Sequence, residues 1–307
     1  MNCNHLLADI FTDVTIREGS QQQEDLCLSS TAQKLEITDK LVHAGTKNIE
    51  LTAFAPGPWF SDANSLIKGA CTRFPQNNFK VIYFNTSGLQ DLIAAKNKYA
   101  NVIVEGIFHT AATNKYRMNN YKQRSVEHTI EKMKRLVNCL RENKLNLDTV
   151  VLSTAWGEHG QTISQHEVHD FCRLLLDSAT KENMNIKKVV LADTVGIGTP
   201  ETIFEMVKGF KEIFSKLIVC AHLHPPSKLA LDCVHAGIDA GIDEWEGTLG
   251  GVGGSPFADK PGANLDLRCL IKAWKEKGWE HGFDLAALNE ALEVIKTNVK
   301  HPVAEID

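Results

Sequence analysis

Two histidines one residue apart, His222 and His224, stand at the end of the apolar run 217–221 and just before Pro225-Pro226. If that run is a strand, its period of two turns both imidazoles to one side, where they can share a single metal ion. The same spacing also suits two histidines satisfied by hydrogen bonds at a strand terminus, so the pair gains meaning from what accompanies it. Arg17 and Glu18 set a fixed cation beside a carboxylate, a pairing that keeps the acid ionised as a metal ligand or charge stabiliser. Glu50 lies inside the apolar stretch Ile49-Glu50-Leu51 and needs a partner, for which Arg17 on the adjacent strand is the obvious choice. Asn85 and Ser153 close two further runs, and His109 lies two residues beyond another. Asp193 precedes a tight turn and then Thr199-Pro200, an N-cap followed by proline at the first helical position.

The elements that must hold these groups follow from periodicity. β-branched runs at 11–16, 48–52, 80–84, 102–107, 149–153, 188–192, 217–221 and 242–246 alternate with amphipathic patterns at 31–44, 61–72, 88–98, 125–142, 164–182, 200–213 and 227–240. Two more helical patterns, 265–277 and 285–297, come after the last strand, and Gly45 and Gly278 sit where helices want their terminators. Eight strands alternating with helices predict an α/β fold, a (β/α)8 TIM barrel with a C-terminal helical extension, read as one catalytic domain over 1–307. A doubly wound sheet would show fewer strands and usually a glycine-rich first turn, and no Gly-x-Gly-x-x-Gly comes after the first strand. In a TIM barrel the site lies at the C-terminal strand ends, which is where these polar groups recur. The loop 247–264, with Gly250-Gly251-Val252-Gly253-Gly254-Ser255-Pro256, is long and flexible enough to close over such a site, or to serve as a plain connection.

Composition bounds the partners. With 33 basic and 38 acidic residues dispersed along the chain and a net charge of -5, there is no basic patch for nucleic acid and no polybasic membrane segment, which leaves a small molecule. Eight cysteines without a Cys-x-x-Cys read as reduced thiols. No apolar stretch approaches the ~18 residues of a membrane span, and the first strand-like run begins too early for a signal peptide, so a soluble, cytoplasmic protein is expected.

The stretches Asp13-Val14-Thr15-Ile16-Arg17-Glu18-Gly19, Ile49-Glu50-Leu51-Thr52-Ala53-Phe54, Ala192-Asp193-Thr194-Val195-Gly196-Ile197-Gly198-Thr199-Pro200, His222-Leu223-His224, and Gly250 to Ala258 with Asn264 carry a resemblance. Over about 11–275 the chain is similar to 3-hydroxy-3-methylglutaryl-CoA lyase and, more broadly, to the metal-dependent DRE-TIM barrel superfamily, which includes α-isopropylmalate synthase. The resemblance implies a divalent metal ion, Mg²⁺ or Mn²⁺ by its mixed ligands, held by Glu18, His222, His224 and Asn264. It further implies Arg17 as stabiliser of the enolate oxygen, Glu50 as the residue holding Arg17, and Asp193 near the substrate hydroxyl. The implied activity is carbon–carbon cleavage of a 3-hydroxy-acyl substrate, an acyl-CoA or hydroxy acid, by retro-aldol or retro-Claisen chemistry through an enolate. A homodimer is compatible with it.

Three departures qualify that reading. Glu18 is one methylene longer than the family's aspartate, Ser255 stands where the lyases carry a catalytic cysteine, and Pro225-Pro226 alters the surroundings of the histidine pair. The alternatives are a Claisen-type acyltransferase, whose condensing relatives usually carry a further domain, and a metal-binding pseudoenzyme retained for interaction.

Overall fold

Nine parallel strands form one curled sheet in the order β4-β3-β2-β1-β9-β8-β7-β6-β5. They are β1 (Phe11–Asp13), β2 (Asn48–Phe54), β3 (Phe79–Tyr83), β4 (Val102–Ile103), β5 (Ile107–Ala111), β6 (Thr149–Ser153), β7 (Lys188–Ala192), β8 (Ile218–His222) and β9 (Glu244–Gly247). This computed structural model describes residues 5–21, 30–254 and 263–298. Helices alternate with the strands and cover the sheet, burying its outward apolar side chains in one core with Leu, Ile, Val and Phe from every helix layer. The expected α/β barrel architecture with added C-terminal helices is what forms, with one strand more than the eight anticipated.

The extra strand comes from a break. The predicted fourth strand, 102–107, is two pieces: β4 pairs only with β3, and β5 pairs only with β6. Between them Gly106 lies so close to the neighbouring chain that an added Cβ would collide with the Asn146 carbonyl oxygen. Its own carbonyl accepts the N–H groups of Asp148 and Thr149 at 2.9 and 3.0 Å, which draws the chain away from β3. Covalent continuity through 104–106, not a hydrogen-bonded ladder, bridges the wall there.

The first strand is shorter than predicted. It ends at Asp13, whose Oδ1 accepts the Thr15 N–H at 2.9 Å, while the Val14 N–H donates to Gly247 O at 2.9 Å. The chain then turns into a one-and-a-half-turn helix, Thr15–Ser20, so Arg17 and Glu18 ride on a helix rather than on a strand end. Likewise His109 lies within β5 rather than beyond it, and His222 is the last residue of β8.

Further along, Thr199 caps the helix Pro200–Ile213 with proline at its start, as its sequence indicates, and Ser164 forms a capping box with Glu167. The C-terminal helix Leu267–Glu276 sets Trp274 edge-on to Trp245 of β9, ring centroids 6.4 Å apart. The last helix, Leu285–Asn298, runs along the helix Thr31–His43 and is tied to it by the Lys40–Glu290 ion pair at 2.5 Å.

Inside the sheet the strands point charge at one another. Lys188, at the start of β7, lies 3.1 Å from Glu105 and 3.4 Å from Glu244, and the Thr149 hydroxyl donates to Glu105. This network joins four staves at the end opposite the mouth and keeps each buried charge compensated.

Candidate active site

Arg17 is the centre of the mouth. Its Nε donates to Glu50 Oε1 at 2.5 Å and its Nη1 to Glu18, so the pairing of Arg17 with Glu50 expected from sequence is present and a second carboxylate joins it. All three side chains are buried, a setting in which an unpaired charge would be costly. Burial would raise the Glu18 pKa, yet Arg17, with His222 and His224 behind it, holds the carboxyl below its usual range. Gln21 adds a hydrogen bond to Glu18 Oε2 at 2.7 Å.

The histidine pair faces this cluster. Leaving β8, His222 and His224 project to one side with ring centroids 5.0 Å apart, and His222 Nε2 stands 3.8 Å from Glu18 Oε1. Glu246 of β9 accepts from His222 Nδ1 at 3.0 Å, which assigns the proton to that nitrogen and turns Nε2 toward Glu18. Against the upward push of burial, His222 pulls the Glu246 carboxyl down to about 2. In return the His222 pKa is raised, Glu246 and Glu18 outweighing burial.

Asn264 approaches Glu18 from the segment after β9. Its Nδ2 donates to Val252 O at 2.8 Å, whereas its Oδ1 is buried with no hydrogen-bond partner among the described residues. Gly253 fixes how Asn264 and Glu18 approach: with φ +82, an added Cβ would lie 2.6 Å from Glu18 Cβ and 2.9 Å from Asn264 Nδ2.

A cavity of about 730 Å³ opens beside Arg17, Glu18, Glu50, His222, His224 and Glu246. Its far wall carries His109 and Tyr121, with Tyr121 Oη 2.8 Å from Ser153 Oγ. Burial, then Arg17, pushes the His109 pKa down to about 3, which keeps that ring neutral. Asp193 is not on the cavity wall. Its two oxygens accept the Ile197 and Gly198 N–H groups at 3.0 Å each, so it organises the turn 193–198, and burial lifts its pKa to about 6. Ser255 lies outside the described residues.

Sequence reading overlooked Glu246 and Tyr121. Glu246 had a signal, an acid recurring at i and i+2 with Glu244 in a predicted strand, which marks two charges on one face. Tyr121 had none, because it reaches the wall from the irregular segment after the helix Asn114–Asn119.

Residues 9–295 match the family profile described as HMGL-like. The chain belongs to the HMGL-like family. Among its relatives, the mitochondrial hydroxymethylglutaryl-CoA lyase of Homo sapiens is 24% identical over 282 residues, covering 91% of this chain and 82% of that protein. The cytoplasmic 3-hydroxy-3-methylglutaryl-CoA lyase of Danio rerio is 24% identical over 297 residues, covering 94% and 84%. A solved HMG-CoA lyase from Acinetobacter baumannii, in complex with coenzyme A and 3-methylmalate, shares the fold with a TM-score of 0.80 at 21% identity, covering 99% of this chain and 94% of that one. This member of the HMGL-like family is thus a lyase-like enzyme.

HMGL-like enzymes are generally divalent-metal dependent, and the donor set here fits such an ion. The Glu18 carboxylate lies against His222, His224 stands beside His222, and the Asn264 side chain flanks Glu18 across Gly253 with its Oδ1 an orphaned buried acceptor that a cation would satisfy. Among the described residues no three carboxylate, imidazole or thiol groups are gathered within reach of one ion, and Glu18 is hydrogen-bonded to Arg17. No described helix is long and apolar enough to cross a membrane.

Proposed function

We propose that this HMGL-like enzyme cleaves a 3-hydroxy-acyl thioester of the 3-hydroxy-3-methylglutaryl-CoA type, with Mg²⁺ or Mn²⁺ held by Glu18, His222, His224 and Asn264. The observation that carries the reading is the convergence, at one buried mouth, of Arg17, Glu18, Glu50 and both histidines, in a chain whose family match spans nearly its whole length. A bound divalent ion supplies a Lewis acid that acidifies the tertiary hydroxyl of the substrate.

Cleavage removes the hydroxyl proton, forms the ketone C=O, breaks the adjacent C–C bond and leaves the electron pair on the thioester fragment as an enolate, later protonated on carbon. Arg17 presents a permanent guanidinium to that developing oxyanion. Glu50 and Glu18 fix its plane, so little reorganisation is needed when charge appears. Glu246 holds His222 in the tautomer that leaves Nε2 as a donor atom. Asp193 acts through the turn it caps, which positions Thr194 on the cavity wall. We place the activity in the cytoplasm, where thiols such as the six free, buried cysteines of the described residues stay reduced.

The test is product analysis. With Mn²⁺ present, 3-hydroxy-3-methylglutaryl-CoA should yield acetyl-CoA and acetoacetate, a chelator should stop it, and Arg17→Ala should lower turnover by at least about 100-fold while the protein still binds the ion. Wild-type turnover in Arg17→Ala would refute the role given to that residue.

A further inference from the structure

The cavity does not stay inside the barrel. Successive residues of a strand point to opposite faces, so a pocket confined to the interior would touch every second residue. This one is lined by three consecutive residues of β3 and its end, Ile82-Tyr83-Phe84, and by three of β5, Ile107-Phe108-His109. It also reaches Leu136, Arg135 and Lys132 on the helix Val126–Glu142, which belongs to the outer layer. The wall is open where this happens: β3 and β5 share no backbone pairing, and the Ile107 N–H, without a strand partner on that side, donates instead to the Tyr83 hydroxyl at 2.9 Å. A passage therefore runs sideways through the break in the fourth stave.

Its chemistry changes along its length. Near the site it is bounded by Phe84 against His109, ring centroids 4.7 Å apart, and within the wall by Tyr83, Phe108 and Leu136. At its outer end stand Lys132 and Arg135, with Lys122 and Arg124 close enough to be felt: burial first, then Arg135, Arg124 and Lys122, depress the Lys132 ammonium. Glu131 answers Arg135 on the exposed face of the helix. A cluster of like charges at the end of an apolar passage is relieved by an anion.

We propose that this lateral passage is a second arm of the substrate site, taking an extended chain that is apolar along its length and anionic at its end. The assignment of that chain to a substrate rests on the lyase reading; the passage itself rests on the break between β3 and β5. The ligand with that chemistry is an aliphatic acyl substituent ending in a carboxylate; a phosphopantetheine arm, with two amides along it, is polar where the passage is apolar.

Calorimetry on the full chain with decanoate, and with 4′-phosphopantetheine as the contrast, tests this. Relative to 4′-phosphopantetheine, decanoate should bind the wild type more tightly. The rim variant Lys132→Glu/Arg135→Glu should weaken it by about tenfold or more, and Thr86→Trp, an exposed plug where the cavity passes the start of the helix Thr86–Lys98, should do the same. No decanoate binding, tighter binding of 4′-phosphopantetheine, or decanoate binding unchanged in both variants overturns the proposal. Cleavage of 3-hydroxy-3-methylglutaryl-CoA is followed in parallel. Cleavage without probe binding removes the passage and keeps the lyase, and probe binding without cleavage does the reverse.

Discussion

Glu246 shows how much one unassigned carboxylate can decide. It is not among the expected metal ligands, yet it fixes the ring of His222 from behind at 3.0 Å and so determines which nitrogen faces Glu18. Glu246→Gln keeps an oxygen acceptor but removes the charge that stabilises the arrangement. Mn²⁺ affinity measured by calorimetry should fall by about 10–100-fold, the usual cost of losing a partner behind a metal-ligating histidine. Unchanged affinity would make Glu246 a structural neighbour only. At the same scale, the resemblance implies that Ser255 takes the place of a thiol, and its hydroxyl titrates far above working pH. If that position carries a proton in the reaction, Ser255→Cys should raise the rate of 3-hydroxy-3-methylglutaryl-CoA cleavage substantially. No change in rate would mean that this position does not limit the reaction.

At the scale of elements, the turn between β1 and the helix Thr15–Ser20 carries both the site and a strain on stability. Asp13 sits fully buried there with Oδ2 unpartnered among the described residues, and burial lifts its pKa from 3.8 to about 7. Between those values the folded chain holds a proton that the unfolded chain has lost, so stability from this group is present at pH 4 and is lost as pH rises toward 7. Asp13→Asn should erase that part of the profile, an effect of a few kcal/mol between pH 4 and 7 by denaturant unfolding. Profiles that stay parallel across this window would show that Asp13 is not protonated in the fold. The same turn explains what sequence could and could not convey. The strands 149–153 and 188–192 were legible because apolar β-branched residues there meet neighbours on both sides. Val14-Thr15-Ile16 has the same local character, but Gly247 O and the Asp13 carboxylate, one of them remote in sequence, bend it into a helix. The split at Gly106 was likewise invisible, since its cause is the close approach of Asn146, forty residues away. Arg17 and its glutamate were legible because buried charge must find a partner, and the histidine pair because a strand's period of two turns both rings to one side. The lateral passage required knowing which strands fail to pair, and the hold of Glu246 on His222 required knowing that β9 lies beside β8.

For the whole molecule, the proposed ion site would be a clasp. Glu18 comes from the helix after β1, the histidines from the end of β8, and Asn264 from the loop after β9, so binding would join parts of the sheet whose strands are adjacent in space and distant in sequence. An ion that binds only the folded chain adds about 2.7 kcal/mol of stability at one hundred times its dissociation constant. The charge network of Lys188, Glu105 and Glu244 performs the corresponding task at the opposite end with residues alone. The measurement that tests the central claim most directly is a Mn²⁺ titration by calorimetry of the wild type beside His222→Ala. One ion per chain in the wild type and none in the variant is the predicted result, and equal binding by both proteins would contradict it.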